Sequence, residues 1–424
     1  MRRPLLLLIV CGLAGAAGAR AAPAGGLPGL TAAARAILGP DQGVYVESAD
    51  GTVLVAQAAA RAVHPASISK IPTTLALLKK FGPDYRFTTT FLAHGRVLDG
   101  TLQGSLQVSS DGDPSLVDED ALLIAQRLNA LGIRRIAGSL RLRGALTFDW
   151  QSDPDGARLR RALSGMTPAA AWEAVRALPL RLTQPAPPLA GALSGSAPPG
   201  VEFLPADGAA GSLVPAVAQV GGPGEVRLQL RSEPLLSMLK ALDDYSNNIM
   251  APLADEAGGP GAVQALARSV VPAAMRAEIT LGDGAGEDPR NRLSPRAAVK
   301  LLRALEARLA ATGHALYDVL PVAGIDAGTL QDRLQGPDEA GRVVGKTGTF
   351  GSYGASALVG AIRTTDRGTV YFAVIDHGVP VPEARRRQDR FVRVLLARLH
   401  SRPWGYRRDA RPAIARVQLF MPSR

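Results

Sequence analysis

Strand-forming sequence lies at the two ends of this chain, and a long helix-forming stretch separates them. That arrangement limits the folds open to it. Near the start, Gly43-Val44-Tyr45-Val46-Glu47 and Thr52-Val53-Leu54-Val55 flank Asp50-Gly51, a strong hairpin signal. Near the end, residues 342–347, 355–363 and 369–375 alternate or are apolar throughout, with a turn at Thr365-Asp366-Arg367-Gly368. Helical periodicity occupies 235–257, 261–275 and 295–311. Two more helices are predicted at 31–38 and 383–400, the latter with Phe391, Leu395, Leu396 and Leu399 on one face. Two strands at one end and three at the other predict one five-stranded antiparallel sheet joining the ends. The first and last helices would cover it, and the helical middle would form the second wall of a cleft. The class is α/β (α+β).

The remaining section predicts a second domain. Residues 87–92, 104–108 and 136–142 read as short strands, with a helix at 119–131 among them. Residues 151–235 are rich in Pro, Gly and Ala and weakly periodic, which reads as loops and short strands. A chain of 424 residues exceeds one ordinary core. The division is therefore 22–86 with 236–424 as one domain, carrying a β-rich inserted domain at 87–235.

The first residues read as an address. Arg2-Arg3 precede an apolar run over 5–10, and Ala19-Arg20-Ala21 is a small-x-small site. Residues 1–21 thus read as a secretory signal peptide, too short to span a bilayer. Cleavage there would remove the one cysteine, Cys11, and three arginines, leaving 45 of the 48 basic residues against 37 acidic ones. Export to the periplasm or cell envelope follows. The exported chain has no disulfide framework and must hold through its core. No Cys/His group has zinc spacing, so neither metal nor cofactor is implied. The basic excess suits an anionic polymer or, at most peripherally, a membrane surface. Aromatic residues are sparse and do not interleave with the arginines, which argues against nucleic acid.

Three short segments carry chemistry. In His64-Pro65-Ala66-Ser67-Ile68-Ser69-Lys70 an extended lead-in turns into a helix whose apolar positions are Ile68, Ile71, Leu75, Leu77 and Leu78. Pro72 removes a hydrogen bond near its start. Ser67 would lie at the helix N-terminus, where negative charge is favoured, and Lys70 one turn later on the same face. Burial beside other cations would lower the Lys70 pKa and make it a neutral base. Ser-x-x-Lys alone arises by chance roughly once in a chain of this length. Ser237-Met238-Leu239-Lys240 repeats it within a helix interior among Leu235, Leu236 and Leu242. Taken singly, Ser67 reads by default as a capping serine. The second segment, Ser246-Asn247-Asn248, offers a hydroxyl and an amide on a tight inter-helix loop. These could relay a proton and hold a carbonyl, or cap a helix starting at Ile249. The third, Gly345-Lys346-Thr347-Gly348-Thr349, falls on a strand whose edge can receive an extended peptide. Lys346 and Thr347 would hold a carboxylate, and Gly348 would let a substrate backbone approach. The alternative is a strand-end turn with a solvated lysine. The three motifs together, in this order, resemble those of the penicillin-recognising serine enzymes.

With these motifs the chain resembles the low-molecular-mass class C penicillin-binding proteins, the D-alanyl-D-alanine carboxypeptidases/endopeptidases of serine peptidase family S13. The resemblance extends to Phe81-Gly82-Pro83-Asp84-Tyr85-Arg86-Phe87-Thr88-Thr89, Ser110-Asp111-Gly112-Asp113-Pro114-Ser115-Leu116, Ser232-Glu233-Pro234-Leu235, Asp283-Gly284-Ala285-Gly286 with Leu293-Ser294-Pro295, and Leu320-Pro321-Val322-Ala323-Gly324. It implies a transpeptidase-like fold, peptidoglycan stem peptides as substrates and β-lactams as covalent inhibitors. It implies Ser67 as nucleophile, Lys70 as base and Ser246 as proton relay. Asn248, Lys346, Thr347, Gly348 and Thr349 would bind substrate, with the backbone N–H groups of Ser67 and Thr349 as oxyanion hole. Two positions depart from the pattern: Gly351 stands where many members carry Gln, and Pro289 where an arginine is expected, so reaction type is better defined than peptide preference. A β-lactamase is the nearest rival, because Glu287 and Asn291 have the Glu-x-x-x-Asn spacing of a deacylating glutamate. The surrounding S13 pattern explains that segment without a hydrolytic role, and a compact β-lactamase lacks room for 87–235. A non-catalytic wall-binding protein is the other alternative; binding alone does not need the full set of reactive residues.

Overall fold

The computed structural model describes residues 27, 29–177, 197–204, 225–411 and 413–421. The signal-peptide reading of 1–21, and the loops read at 178–196 and 205–224, lie outside these residues.

The main sheet has the predicted five antiparallel strands, in the order Val343–Phe350, Ala355–Thr364, Thr369–Asp376, Gly43–Ser48, Val53–Gln57. The two ends of the chain meet where Gly43 pairs with Ile375 and Ser48 with Val370. A short strand, Ser401–Arg402, adds beside Ala355–Thr364. The central strand shows why the sheet is covered on both faces. Val370, Phe372 and Val374 pack with the helices Leu30–Leu38 and Val381–Arg398. Tyr371, Ala373 and Ile375 pack against Lys70–Phe81 and Pro295–Ala310. Strand side chains alternate between faces, so one continuous apolar run serves two cores.

The last helix, Val381–Arg398, buries Phe391, Val392, Leu395 and Leu396 against the sheet, and Leu399 just beyond it is buried too. Phe391 is 0% exposed. Phe391→Ala should therefore lower stability by about 3–5 kcal/mol, read as a shift of the urea midpoint at constant slope. A change under about 1 kcal/mol would mean the helix does not carry the sheet's outer core.

A second sheet has a core of its own. Its strands run in the order Gln418–Phe420, Val226–Arg231, Thr88–Leu98, Thr101–Ser110, Arg135–Ala137, Glu202–Leu204, with Leu140–Arg143 also paired to Thr101–Ser110. Phe91, Leu106, Phe148 and Leu228 fill that core with the helix Asp118–Ala130. Three details differ from expectation. The single strand read at 136–142 is two, broken at Gly138-Ser139. A Cβ on Gly138 would stand 2.0 Å from the Gly104 carbonyl oxygen, so the backbones touch there. The section read as loops contains the helices Ala157–Leu163 and Ala169–Arg176, anchored by Leu159, Leu163, Trp172 and Val175; two turns are too few to show a period. The chain's tail, Gln418–Phe420, forms the edge strand beside Val226–Arg231. The helix read at 261–275 is also shorter: Gly259–Ser269, then a 3-10 segment Ala273–Glu278 after Pro272. Among the described residues no helix is long and apolar enough to cross a membrane.

Candidate active site

Ser67 lies not on the α-helix but on the 3-10 turn Ala66–Ser69 that feeds it; the α-helix proper is Lys70–Phe81. The turn is strained and clamped. Ala66 has φ +50°, which a residue with a Cβ rarely adopts. Its N–H donates to His64 Nδ1 at 3.2 Å. With Nδ1 accepting, the other ring nitrogen carries the proton and donates to the Asp288 carbonyl at 3.1 Å. The His64 ring stacks on Phe350 with centroids 4.7 Å apart. Two glycines close the clamp. A Cβ on Gly286 (φ +96°) would come 2.1 Å from the Ala66 carbonyl oxygen, and one on Gly348 2.6 Å from that of Pro65. What Gly348 accommodates is therefore the turn that carries Ser67, where the sequence suggested a substrate backbone.

Lys70 is fully buried at the base of this turn. Its Nζ stands 2.9 Å from Ser67 Oγ, 2.9 Å from Asn248 Oδ1 and 2.7 Å from the Ala285 carbonyl. A neutral amine has two N–H bonds and one lone pair. The two carbonyl-type oxygens accept the N–H bonds, which leaves the lone pair for the Ser67 hydroxyl proton. Burial first, and the Lys346 cation second, push the Lys70 pKa down to about 7. The neutral form is thus accessible near physiological pH.

The second and third motifs meet across the cleft. Ser246 ends the helix Leu235–Tyr245 in the left-handed region, φ +56°. The cap of the next turn is Asn247, whose Oδ1 accepts from the Ile249 N–H at 2.9 Å. Ser246 is left free to accept from Lys346 Nζ at 2.9 Å. Lys346 is buried, not solvated, and its pKa is lowered to about 8, by burial. Thr347 is buried and Thr349 exposed, on one face of the strand Val343–Phe350. Ser237 and Lys240 share no such arrangement: Lys240 Nζ is taken by Asp244, Asp326 and the Leu320 carbonyl.

Sequence reading missed Asp243. It is fully buried, accepts from Thr74 Oγ1 at 3.0 Å, and acts electrostatically on both lysines, raising the pKa of each. Burial lifts its own pKa to about 6, opposed most by Lys346. Its signal was present as an acidic pair, Asp243-Asp244, just ahead of Ser246. Glu287 is exposed and accepts from Asn248 Nδ2 at 2.6 Å, on the far side of that amide from Lys70. The geometry supplies a hydroxyl beside a buried amine whose neutral form is accessible, a second hydroxyl beside a second lysine, and a strand edge between them. That set suits acyl transfer to serine.

Comparison with known proteins agrees with this chemistry. A curated relative, carboxypeptidase DacB of Mycolicibacterium smegmatis, is 28% identical over 400 residues, covering 86% of this chain and 83% of its own. Among solved structures, the penicillin G-acylated predatory endopeptidase Bd3459 of Bdellovibrio bacteriovorus, in complex with the immunity protein Bd3460, superposes with TM-score 0.71. It is 21% identical and covers 90% of this chain and 99% of that one. Penicillin-binding protein 4 (dacB) of Haemophilus influenzae superposes with TM-score 0.57 at 18% identity, covering 88% and 99%. At these identities the two structures establish the shared fold. The sequence profile of the D-Ala-D-Ala carboxypeptidase 3 (S13) family matches residues 30–156 and 211–398, and the chain belongs to that family of serine peptidases.

Proposed function

We propose that this enzyme hydrolyses the terminal D-Ala-D-Ala bond of peptidoglycan stem peptides, and D-Ala cross-links, through an acyl-enzyme on Ser67. The observation that carries the reading is the 2.9 Å contact between Ser67 Oγ and a buried Lys70 amine whose pKa is lowered to about 7. Ser67 Oγ attacks the carbonyl carbon of the penultimate D-Ala as Lys70 takes its proton. Backbone N–H groups of Ser67 and Thr349 receive the oxyanion. As the tetrahedral intermediate collapses, Ser246 passes a proton to the departing D-Ala nitrogen. Asn248 holds the acyl chain; Lys346, Thr347, Gly348 and Thr349 form the strand edge against which the peptide lies. Water then cleaves the Ser67 ester. We read 87–235 as an inserted domain to which the tail docks, and the protein as exported to the cell envelope. Digestion of purified peptidoglycan, with product masses read out, tests this: loss of one D-Ala from pentapeptide stems is expected, and unchanged muropeptides would sink it.

The two lysines set a pH profile. Acylation needs Lys70 neutral, so the rate should rise through a pKa near 7. Carboxylate binding needs Lys346 charged, so it should fall through a pKa near 8. The two groups repel, so the apparent values belong to the pair. Asp243 favours both cations, so Asp243→Asn should move both limbs to lower pH. A pH profile of kcat/KM that is flat from 6 to 9, or limbs that move up in the variant, would contradict these assignments.

A further inference from the structure

The first turns of the helix Val381–Arg398 carry three consecutive arginines, Arg385, Arg386 and Arg387. The structure separates them. Arg386 and Arg387 both pair with Glu383, at 2.6 and 2.8 Å, and farther along Arg393 pairs with Glu339 at 2.7 Å. Arg385 has no carboxylate within ion-pair distance among the described residues. Its Nη2 donates instead to Thr349 Oγ1 at 2.9 Å. Thr349 follows Thr347 by two residues on the same strand, so the two hydroxyls lie on one face, beside the edge that carries Lys346. The charges around Arg385 leave it in want of an anion. Burial first, then Arg333, lowers its pKa; Asp389 opposes that, but the Asp389 carboxylate is engaged by Arg333 at 2.6 Å. A guanidinium stays charged in such a place and presents its N–H groups as a flat fork suited to a carboxylate.

We propose that Arg385, with Thr349, forms an anion site continuous with Lys346 and Thr347 that receives the free α-carboxylate of the amino acid on the leaving side of the scissile bond. The substrate class it selects is a peptide whose leaving residue ends in a carboxylate, as against an amide or ester. The inference rests on the Ser67 reading above and adds to it a residue from the opposite end of the chain. The N–H groups not engaged by Thr349 supply one or two charge-assisted hydrogen bonds.

Two thioester acyl donors test it, one leaving as thioglycolate and the other as its methyl ester, so that the scissile bond is the same and only the carboxylate differs. Wild type should prefer the acid. Arg385→Gln should lower kcat/KM on the acid about 10- to 100-fold while changing the ester less than about twofold. Arg385→Lys, which keeps a point charge without the fork, should fall between them. The acid preference of the wild type should also shrink as salt is raised. Stoichiometric acylation by a β-lactam is read in every variant as an independent count of folded, competent sites. Equal losses on both donors would assign Arg385 a purely structural role and overturn the proposal, as would no loss on either. A wild type that takes no β-lactam would instead strike the Ser67 reading on which the proposal rests.

Discussion

Ser67→Ala abolishes covalent labelling by penicillin, and intact-mass measurement shows no adduct at any time, while Ser237→Ala labels like the wild type. Peptide hydrolysis by the Ser67 variant falls by about 10⁴-fold or more, since residues that act as a unit lose nearly everything together. The fold should survive. Ser67 sits on a turn held by His64, Gly286 and Gly348, and its hydroxyl bonds to Lys70. Lys70 keeps Asn248 and the Ala285 carbonyl when the hydroxyl goes. The stability change should stay near the roughly 1 kcal/mol of a single hydrogen bond. Ser237 is the internal control because its Ser-x-x-Lys spacing is the same while its lysine is committed to Asp244 and Asp326. Labelling that persists in Ser67→Ala would move the nucleophile elsewhere.

The sheet was legible because its strands are written in the simplest code, an Asp-Gly hairpin at one end and unbroken apolar runs at the other. Period-two faces of Thr369–Asp376 then had to find cover on both sides. The inserted section was less legible, because Ala157–Leu163 and Ala169–Arg176 are each about two turns long and take their stability from burial rather than from pattern. The site divides the same way. Motifs singled out Ser67, Lys70, Ser246 and Lys346, since each pairs residues close in sequence or in a fixed local geometry. Asp243, the Ala285 carbonyl and Arg385 act across long separations, and no local spacing encodes them. Gly348 was singled out for one reason and is needed for another: its missing side chain makes room for the Pro65 carbonyl.

The penicilloyl adduct on Ser67 should form quickly and persist for minutes or longer, and its lifetime should not depend on Glu287. The sequence spacing of Glu287 and Asn291 tempts one toward a deacylating glutamate, so the geometry has to decide. Glu287 accepts from Asn248 Nδ2 at 2.6 Å, and the other end of that amide faces Lys70 at 2.9 Å. Asn248 therefore stands between the carboxylate and the lysine, and Glu287 makes no hydrogen bond to Ser67 or Lys70. Asn291 is turned away as well. It is fully buried, donating to Asp283 Oδ1 at 2.8 Å and accepting from the Gly282 N–H at 2.7 Å, so it holds the loop rather than a water. A general base must reach the attacking water within about 3.2 Å, directly or through one more water. Here the hydrogen-bonded chain from Glu287 reaches Ser67 only through Asn248 and Lys70. After β-lactam acylation the leaving portion also stays tethered and shields the ester, whereas D-Ala departs and opens it. The charge of Glu287 does act on Lys70, raising its pKa. Glu287→Gln should accordingly move the acid limb of acylation to lower pH while leaving the adduct's half-life within about twofold, read by mass spectrometry after excess penicillin is removed. Sustained β-lactam turnover at many cycles per second, lost in Glu287→Gln, would instead make this site a β-lactamase built on a peptidase frame.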